Sequence, residues 1–200
     1  MNMASSSLQS PHEGHDSASN VTFGFWLYLM TDCLLFASLF ATFAVLRHHY
    51  AGGPDGRALF DLPGVYVETL FLLLSSVTNG FSLIAARQQR THFVLAWLFL
   101  TAMFGMGFIW MEVGEFWTLV QQGHGPSKSA FLSAYFTLVG THGAHVTVGL
   151  LWMWVMMIQV MDRGLTPRIQ SRLVRLGMFW HFLDLIWVAV FSVVYLSGML

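Results

Sequence analysis

The chain has 200 residues, of which 56% are hydrophobic and only 10% are charged. Because soluble domains carry about 25% charged residues, this composition predicts an integral membrane protein. The formal net charge of −1 gives no electrostatic basis for a nucleic-acid partner, and the single cysteine, Cys33, excludes an intrachain disulfide or a CxxCH haem attachment.

The first segment, residues 1–22, is rich in Ser and His and contains no Lys, no Arg and no apolar core. A cleavable secretory signal needs a basic start and an apolar centre, so none is predicted here. We expect these residues to form a flexible polar tail in front of the membrane domain.

A membrane-spanning helix needs about 20 mostly apolar residues. Five stretches meet this requirement, and the predicted helices are 23–46, 65–86, 93–120, 130–161 and 176–200. Turn-forming Gly and Pro residues lie in the connections between them. The sequence therefore predicts an all-α integral membrane bundle of five transmembrane helices that occupies residues 23–200.

The distribution of Lys and Arg predicts the orientation of the bundle, because cytoplasmic loops carry an excess of these residues. The loops on the same side as the N-terminus hold six of them: Arg87, Arg90, Arg163, Arg168, Arg172 and Arg175. The loops on the other side hold three: Arg47, Arg57 and Lys128. We therefore expect the N-terminus in the cytoplasm and the C-terminus outside the membrane.

Five polar residues are predicted to lie at similar depth in the cytoplasmic half of the bundle: Asp32, His142, His145, His181 and Asp184. His142 and His145 are three residues apart, as are His181 and Asp184, so each pair shares one helix face. Polar side chains inside a bilayer usually face the interior of a bundle. We expect a buried polar layer with a structural or a proton-linked role.

Three carboxylates are predicted at the opposite, outer side of the membrane. Glu68 follows the start of the second helix, whereas Glu112 and Glu115 lie near the end of the third. We expect them to form a second polar layer that contacts interfacial water, lipid head groups or a partner protein.

The inner histidines leave several chemical interpretations open. An interhelical hydrogen-bond network would contribute about 0.6–2 kcal/mol per bond, and a proton relay would use the titration of His and Asp side chains. His142, His145, His181 and Asp184 would suit zinc or iron if Asp32 completed the set. Haem ligation by His142 or His181 is a further alternative that spacing alone does not decide.

Four segments together carry a specific resemblance: 24–33 (GFWLYLMTDC), 67–76 (VETLFLLLSS), 141–146 (THGAHV) and 179–187 (FWHFLDLIW). In this order, and on these helices, they resemble subunit III of the haem-copper terminal oxidases. The similarity covers nearly all of the chain from Phe23 onwards, and it is strongest to the five-helix subunit III of bo-type (cytochrome o) ubiquinol oxidases.

The resemblance implies a subunit of a proton-pumping quinol oxidase in the bacterial cytoplasmic (inner) membrane. Such a complex couples the oxidation of quinol to the reduction of oxygen to water. The implied partners are oxidase subunits I, II and IV, and the haems and copper are expected in the catalytic partner rather than in this chain. Subunit III is expected to stabilise subunit I, to support proton uptake and to bind phospholipids in a cleft between helices.

Individual residues refine this expectation. Asp32 matches a buried carboxylate of the family that is commonly Glu in the cytochrome c oxidase branch. Glu68 and Glu112 stand where that branch tends to have amides. These differences, together with the five predicted helices, favour the quinol branch, and no residue of this chain is expected to be catalytic, to bind a cofactor or to bind a metal.

Two functions of other classes are alternatives. An independent metal-dependent membrane enzyme would use His142, His145, His181 and Asp184 as ligands. A small proton-coupled carrier would use Asp32 and the carboxylates, although the sequence lacks the paired Gly- or Pro-broken helices typical of such carriers.

Overall fold

The computed structural model describes the backbone of residues 11–47 and 62–196 and the side chains of residues 21–47 and 63–196. Within these ranges the chain forms helices α1 (Pro11–Leu46), α2 (Leu62–Arg87), α3 (Thr91–Gln121), α4 (Ala130–Arg163) and α5 (Pro167–Val190), with a π-helical extension of α5 over Phe191–Leu196. Each of the five helices contains a span long and apolar enough to cross a membrane. The predicted all-α membrane bundle is therefore confirmed.

The helices are longer than their apolar cores. The apolar span of α1 is Val21–Leu46, close to the predicted 23–46, but the helix itself begins at Pro11. The flexible tail expected for residues 1–22 stays a prediction, since residues 1–10 lie outside the described ranges. Arg57 and residues 197–200, the end of the predicted fifth helix, also lie outside them.

The connection between α4 and α5 is short because the sequence supplies both a stop and a start. Gly164 ends α4 with φ +66°, a backbone conformation that glycine adopts without steric cost. Thr166 then caps α5 by accepting a hydrogen bond from the Ile169 amide at 3.4 Å, and Pro167 occupies the first helical position. As a result α5 starts well before the predicted residue 176.

Helix α4 occupies the centre of the bundle and packs against α1, α3 and α5. Helices α2 and α3 form an antiparallel pair, and α5 also packs against α2. The buried indole of Trp180 fills the space where α3, α4 and α5 meet. A Cβ atom at Gly105 or Gly149 would come within 3.0 Å of this ring, so the two glycines permit the close approach.

Large apolar side chains cover the outside of the bundle. Trp110 is 83% exposed, Leu34 and Met161 are each 72% exposed, and many others lie in the same environment. A surface of this kind is stable when lipid hydrocarbon or a partner protein covers it. Asp32, Glu68, Glu112 and His142, in contrast, are buried inside the bundle.

Candidate functional site

Asp32 on α1 and His145 on α4 form the inner pair. The His145 Nε2 and Asp32 Oδ2 atoms are 3.9 Å apart, and both side chains are largely buried. The other ring nitrogen, Nδ1, donates to the Thr141 carbonyl oxygen at 2.7 Å, because a carbonyl can only accept. The imidazole is thus held by its own helix, and its Nε2 atom faces the carboxylate at a distance too long for a hydrogen bond.

His142 lies next to this pair in a dry aromatic pocket. Its side chain is fully buried, and neither ring nitrogen has a hydrogen-bond partner among the described residues. The rings of Phe36, Phe108 and Trp187 lie around it, with centroids 6.4, 5.8 and 5.2 Å away. These rings come from α1, α3 and α5, so His142 sits where four helices meet and is separated from water on every side.

Hydrogen bonds between α2 and α5 form a second polar region. Ser76 Oγ and His181 Nδ1 are 2.7 Å apart. The Trp180 indole donates to Ser75 Oγ at 3.0 Å, and the Trp187 indole donates to Thr69 Oγ1 at 3.1 Å. Each of these bonds joins one helix to the other, so they fix the rotation of α5 against α2.

The structure separates the five residues predicted for one buried inner layer. Asp32 and His142 are buried and His145 is mostly buried, whereas His181 is exposed. The reason is the helical face: residue 181 shares a side of α5 with the exposed Leu185. Asp184 is half-buried, and its Oδ1 atom has no hydrogen-bond partner among the described residues.

At the opposite end of the bundle, acidic and phenolic side chains form the acid–tyrosine cluster: Glu68, Glu112, Glu115, Tyr135 and Tyr195. The Tyr135 hydroxyl donates to Glu115 Oε1 at 2.9 Å, and the Tyr195 hydroxyl donates to Glu115 Oε2 at 3.4 Å. The two hydroxyl oxygens are themselves 3.0 Å apart. The cluster therefore connects α3 to α4 and to the extension of α5.

Glu112 reaches the backbone of α4 at a glycine. A Cβ atom at Gly143 would lie 2.5 Å from Glu112 Oε1 and 2.8 Å from Oε2, distances that real Cβ atoms do not adopt. Glu112 is only 3% exposed, and its Oε2 atom has no hydrogen-bond partner among the described residues. Gly143, which lies beside His142, consequently leaves the space that the Glu112 carboxylate occupies against α4.

A cavity of about 450 Å³ opens between α2 and α3 at this end of the bundle. Polar side chains that line it include Glu68, Glu115, Thr118 and Gln122. Glu68 is only 2% exposed, and its Oε2 atom has no hydrogen-bond partner among the described residues. Polar groups thus extend from the end of α3 towards the buried carboxylates.

Several partners of these carboxylates were not predicted from the sequence. Tyr135 and Tyr195 are not among the residues predicted from the sequence, although each lies in an apolar segment. Tyr135 is near the start of α4 and Glu115 is near the end of α3, so the two residues lie at the same end of the bundle. The sequence also contains a weak indication of the hydrogen bonds between α2 and α5. Thr69 and Ser76 are seven residues apart, and so are Trp180 and Trp187, which places each pair on one helix face.

The predicted ligand set for a metal enzyme does not come together. Among the described side chains, those of residues 21–47 and 63–196, no three His, Cys, Asp or Glu residues are grouped closely enough to hold a metal ion. His142 is enclosed by aromatic rings, and His181 bonds to Ser76 on a different helix pair. The structure gives no support to the alternative that uses His142, His145, His181 and Asp184 as ligands.

Comparison with known proteins gives consistent matches along the chain. The family described as cytochrome c oxidase subunit III matches residues 3–199. The cytochrome bo(3) ubiquinol oxidase subunit 3 of Pseudomonas aeruginosa is 56% identical over 186 residues, which are 93% of this chain and 89% of the relative. The quinol oxidase subunit 3 of Bacillus subtilis is 42% identical over 88% of this chain and 86% of the relative. The cytochrome c oxidase subunit 3 of Bacillus sp. strain PS3 is also 42% identical, over 90% of this chain and 87% of the relative.

Five helices that can cross a membrane, joined by side-chain hydrogen bonds between helices, define a multi-pass membrane protein. The chain belongs to the cytochrome c oxidase subunit III family. It is therefore a subunit of a terminal oxidase complex in the bacterial cytoplasmic membrane and assembles with other oxidase subunits. The predicted resemblance, including its similarity to bo-type ubiquinol oxidases, is confirmed.

Proposed function

We propose that this chain is subunit III of a proton-pumping quinol oxidase, which oxidises quinol and reduces oxygen to water. The observation that carries this proposal is the 56% identity, over 186 residues, to the cytochrome bo(3) ubiquinol oxidase subunit 3 of Pseudomonas aeruginosa. The relative named for cytochrome c oxidation is 42% identical. The higher identity favours quinol as the electron donor of the complex.

Within that complex the chain acts as a stabilising subunit, and the haems and copper belong to its catalytic partner. Its interhelical hydrogen bonds support this role, since Ser75, Thr69 and Glu115 are hydrogen-bonded to residues of other helices. We expect it to assemble with oxidase subunits I, II and IV. Its exposed apolar surface supplies the area for those contacts and for phospholipids.

The proposed orientation places the N-terminus in the cytoplasm, as the excess of Arg in the α2–α3 and α4–α5 connections indicates. In that orientation the inner pair, Asp32 and His145, lies in the cytoplasmic half of the membrane. Carboxylate and imidazole side chains can each take up and release a proton. This geometry supports a role of the inner pair in proton uptake by the complex.

The test is to delete this chain and purify the remaining oxidase in mild detergent. We expect the remaining complex to reduce oxygen at first and then to lose activity during prolonged turnover, because its catalytic subunit lacks a stabilising neighbour. Adding the chain back should restore the lifetime. A complex that lacks the chain, keeps its metals and retains full activity through prolonged turnover would contradict the stabilising role.

The electron donor is tested separately on the complete complex. Oxygen consumption is measured with a short-chain ubiquinol and with reduced cytochrome c at equal concentrations. We expect turnover with the quinol and none with the cytochrome. The opposite preference would place the chain in a cytochrome c oxidase, the function named for its Bacillus sp. strain PS3 relative.

A further inference from the structure

The cavity between α2 and α3 combines buried acid with an open flank. Its described lining includes Glu68 and Glu115 but no Lys or Arg. Gly114 and Trp110 also line it, and no atom lies within 4 Å of a Cβ built at Gly114. Trp110 is 83% exposed, so a neighbouring molecule has access to the cavity from the side of the bundle.

Glu68 is the carboxylate in this cavity that lacks a partner. It is only 2% exposed, and its Oε2 atom has no hydrogen-bond partner among the described residues. Glu115 differs, because its two oxygens accept hydrogen bonds from Tyr135 and Tyr195. A buried carboxylate oxygen without a partner is costly, and a charged N–H donor is the partner that stabilises it most. The cavity therefore has the chemistry of a cation site centred on Glu68.

The ends of the two helices favour a cation as well. Helix α3 ends at Gln121, and both Thr118 and Gln122 line the cavity, so it lies against the last turn of this helix. The C-terminal end of a helix carries partial negative charge. Helix α2 begins at Leu62, which places Glu68 beyond the first turn, where the free amide groups of a helix start act most strongly.

The described part of this chain does not place a cation in the cavity. Arg47, at the end of α1, and Lys128, before the start of α4, lie at the same end of the bundle, but neither lines the cavity. Trp110 is about 16 Å from the end of α3 at a rise of about 1.5 Å per residue, so this flank faces the apolar part of the membrane. An unaccompanied ion is costly there, whereas a neighbouring membrane protein can bring a charged side chain to this depth.

An arginine fits the lining better than a lysine. The guanidinium group is planar, presents its donors in a fork that matches a carboxylate, and stacks on aromatic rings. The cavity offers a carboxylate at Glu68 and an indole at Trp110 within one volume of about 450 Å³. The compact ammonium of a lysine would use the carboxylate but would gain less from the indole face.

We propose that an arginine of a neighbouring oxidase subunit enters this cavity, pairs with the Glu68 carboxylate and stacks on the Trp110 indole. The chain belongs to a family of oxidase subunits and assembles with others, so such a neighbour is present in the complex. The pairing does not depend on which electron donor the complex uses. It assigns one face of this chain, the α2–α3 flank, to a contact with another subunit.

The first experiment identifies the occupant in the complete oxidase complex within its membrane. Trp110 is replaced by the photoreactive aromatic amino acid p-benzoylphenylalanine, and crosslinked peptides are identified by mass spectrometry after irradiation. We expect a crosslink to an arginine-containing peptide of another oxidase subunit. The same probe at Trp154, which is 42% exposed on α4 and outside the cavity, is the control and should not label that peptide. Val113, 59% exposed and almost one turn further along α3, carries the probe in a second variant in case replacement of Trp110 prevents assembly.

The second experiment measures the coupling between the two charged groups. Glu68→Gln and the Arg→Gln change at the crosslinked position are made singly and together, and the rate at which this subunit dissociates from the purified complex in detergent is measured. Each single change should accelerate dissociation about tenfold, because it leaves a buried group without its charged partner. The double change should be no faster than either single change, since both charges are then absent. Asp162→Asn removes an exposed carboxylate outside the cavity and should leave the rate unchanged.

Several outcomes would overturn the proposal. Crosslinks only to lipid would make a lipid head group the occupant. Crosslinks only to residues 48–61 of this chain, which include Arg57 and lie outside the described ranges, would make the occupant internal. Absence of any crosslinked protein, a partner peptide without arginine, or additive effects in the double variant would refute the pairing as well. Copurification and oxygen consumption are measured on the same preparations, so a normal complex with any of these results would leave the proposed quinol oxidase function intact.

Discussion

The two ends of the bundle hold their acidic side chains in different ways. At the inner end, Asp32 faces the imidazole of His145, a group that can become cationic. At the outer end, Glu115 is held by the neutral hydroxyls of Tyr135 and Tyr195. The carboxylate at the inner end thus faces a side chain that can carry the opposite charge. The carboxylate at the outer end accepts hydrogen bonds from neutral hydroxyl groups beside a cavity.

The two ends of the bundle are expected to contribute differently to the stability of the protein. An ion pair at 3.9 Å without a hydrogen bond contributes little, because its Coulomb attraction is offset by desolvation. Short hydroxyl bonds to a carboxylate contribute more. The Glu112 carboxylate also packs on Gly143, where an added methyl group would force the carboxylate or the helices to move. We therefore expect substitutions at the outer end to lower the stability of the complex more than those at the inner end. Substitutions at the inner end should have the larger effect on proton transfer.

The largest effect is expected from Gly143→Ala. The new methyl group would collide with the Glu112 carboxylate, so this buried side chain would have to shift or α3 and α4 would have to separate. Overpacking of this kind costs about 1–3 kcal/mol. The measurement is the temperature at which this subunit dissociates from the purified complex, and we expect it to fall.

Two further variants test this explanation. Gly140→Ala is the matched control on the same helix, because its nearest neighbour, Phe116, would be in ordinary contact at 3.6 Å. Adding Glu112→Ala to Gly143→Ala should recover much of the loss, since the colliding group is removed. A loss that is equal in the two glycine variants would show that the carboxylate is not the cause.

The second effect is expected from Tyr135→Phe, which removes the shorter of the two hydroxyl bonds to Glu115. Hydrogen bonds to charged groups contribute about 1.5–3 kcal/mol in soluble proteins, and those measured in membranes are weaker, so a loss of about 1–2 kcal/mol is predicted. Denaturant titration of the purified complex measures it. The same change at the exposed Tyr66 should have little effect, and equal losses would argue against the cluster.

The third effect concerns His142, which lies between the two ends. Its ring nitrogens have no partner among the described residues, so His142→Leu should leave stability unchanged or raise it by about 1 kcal/mol. Oxygen reduction and proton pumping should persist, since aromatic rings isolate this position from both ends. His92→Leu, at an exposed position, is the control. Loss of pumping in His142→Leu alone would show that protons pass between the ends through this histidine.

The sequence predicted the fold well because crossing a membrane constrains length and composition directly. It also indicated that Asp32, His142 and His145 lie within the bundle, since charged or polar groups rarely face lipid. What it could not supply was the rotation of each helix about its own axis. Helices that are apolar on nearly every side carry little information about which side faces a neighbour.

The missing information is visible at particular residues. His181 was expected inside the bundle with Asp184, but the packing of Trp180 and Trp187 against α2 turns residue 181 outwards. The Glu112–Gly143 contact depends on the register of α3 against α4, which no spacing within one helix encodes. Such contacts are set by pairs of helices, and a single sequence shows each helix alone.

The smallest effect on stability is expected at the inner pair. Asp32→Ala removes a carboxylate whose Oδ2 atom lies 3.9 Å from His145 Nε2 without a hydrogen bond, so a loss of about 0.6 kcal/mol is predicted, the average for polar contacts in membranes. Because the redox centres are assigned to the partner subunit, initial oxygen reduction should stay within about twofold of the unaltered complex. The activity should then decline faster during turnover, because the variant lacks the carboxylate that we propose to take part in proton uptake. Asp32→Glu should restore the lifetime, because it keeps a carboxylate facing His145. An intact complex that has lost all oxygen reduction in Asp32→Ala would reverse the comparison and make the inner end indispensable for catalysis.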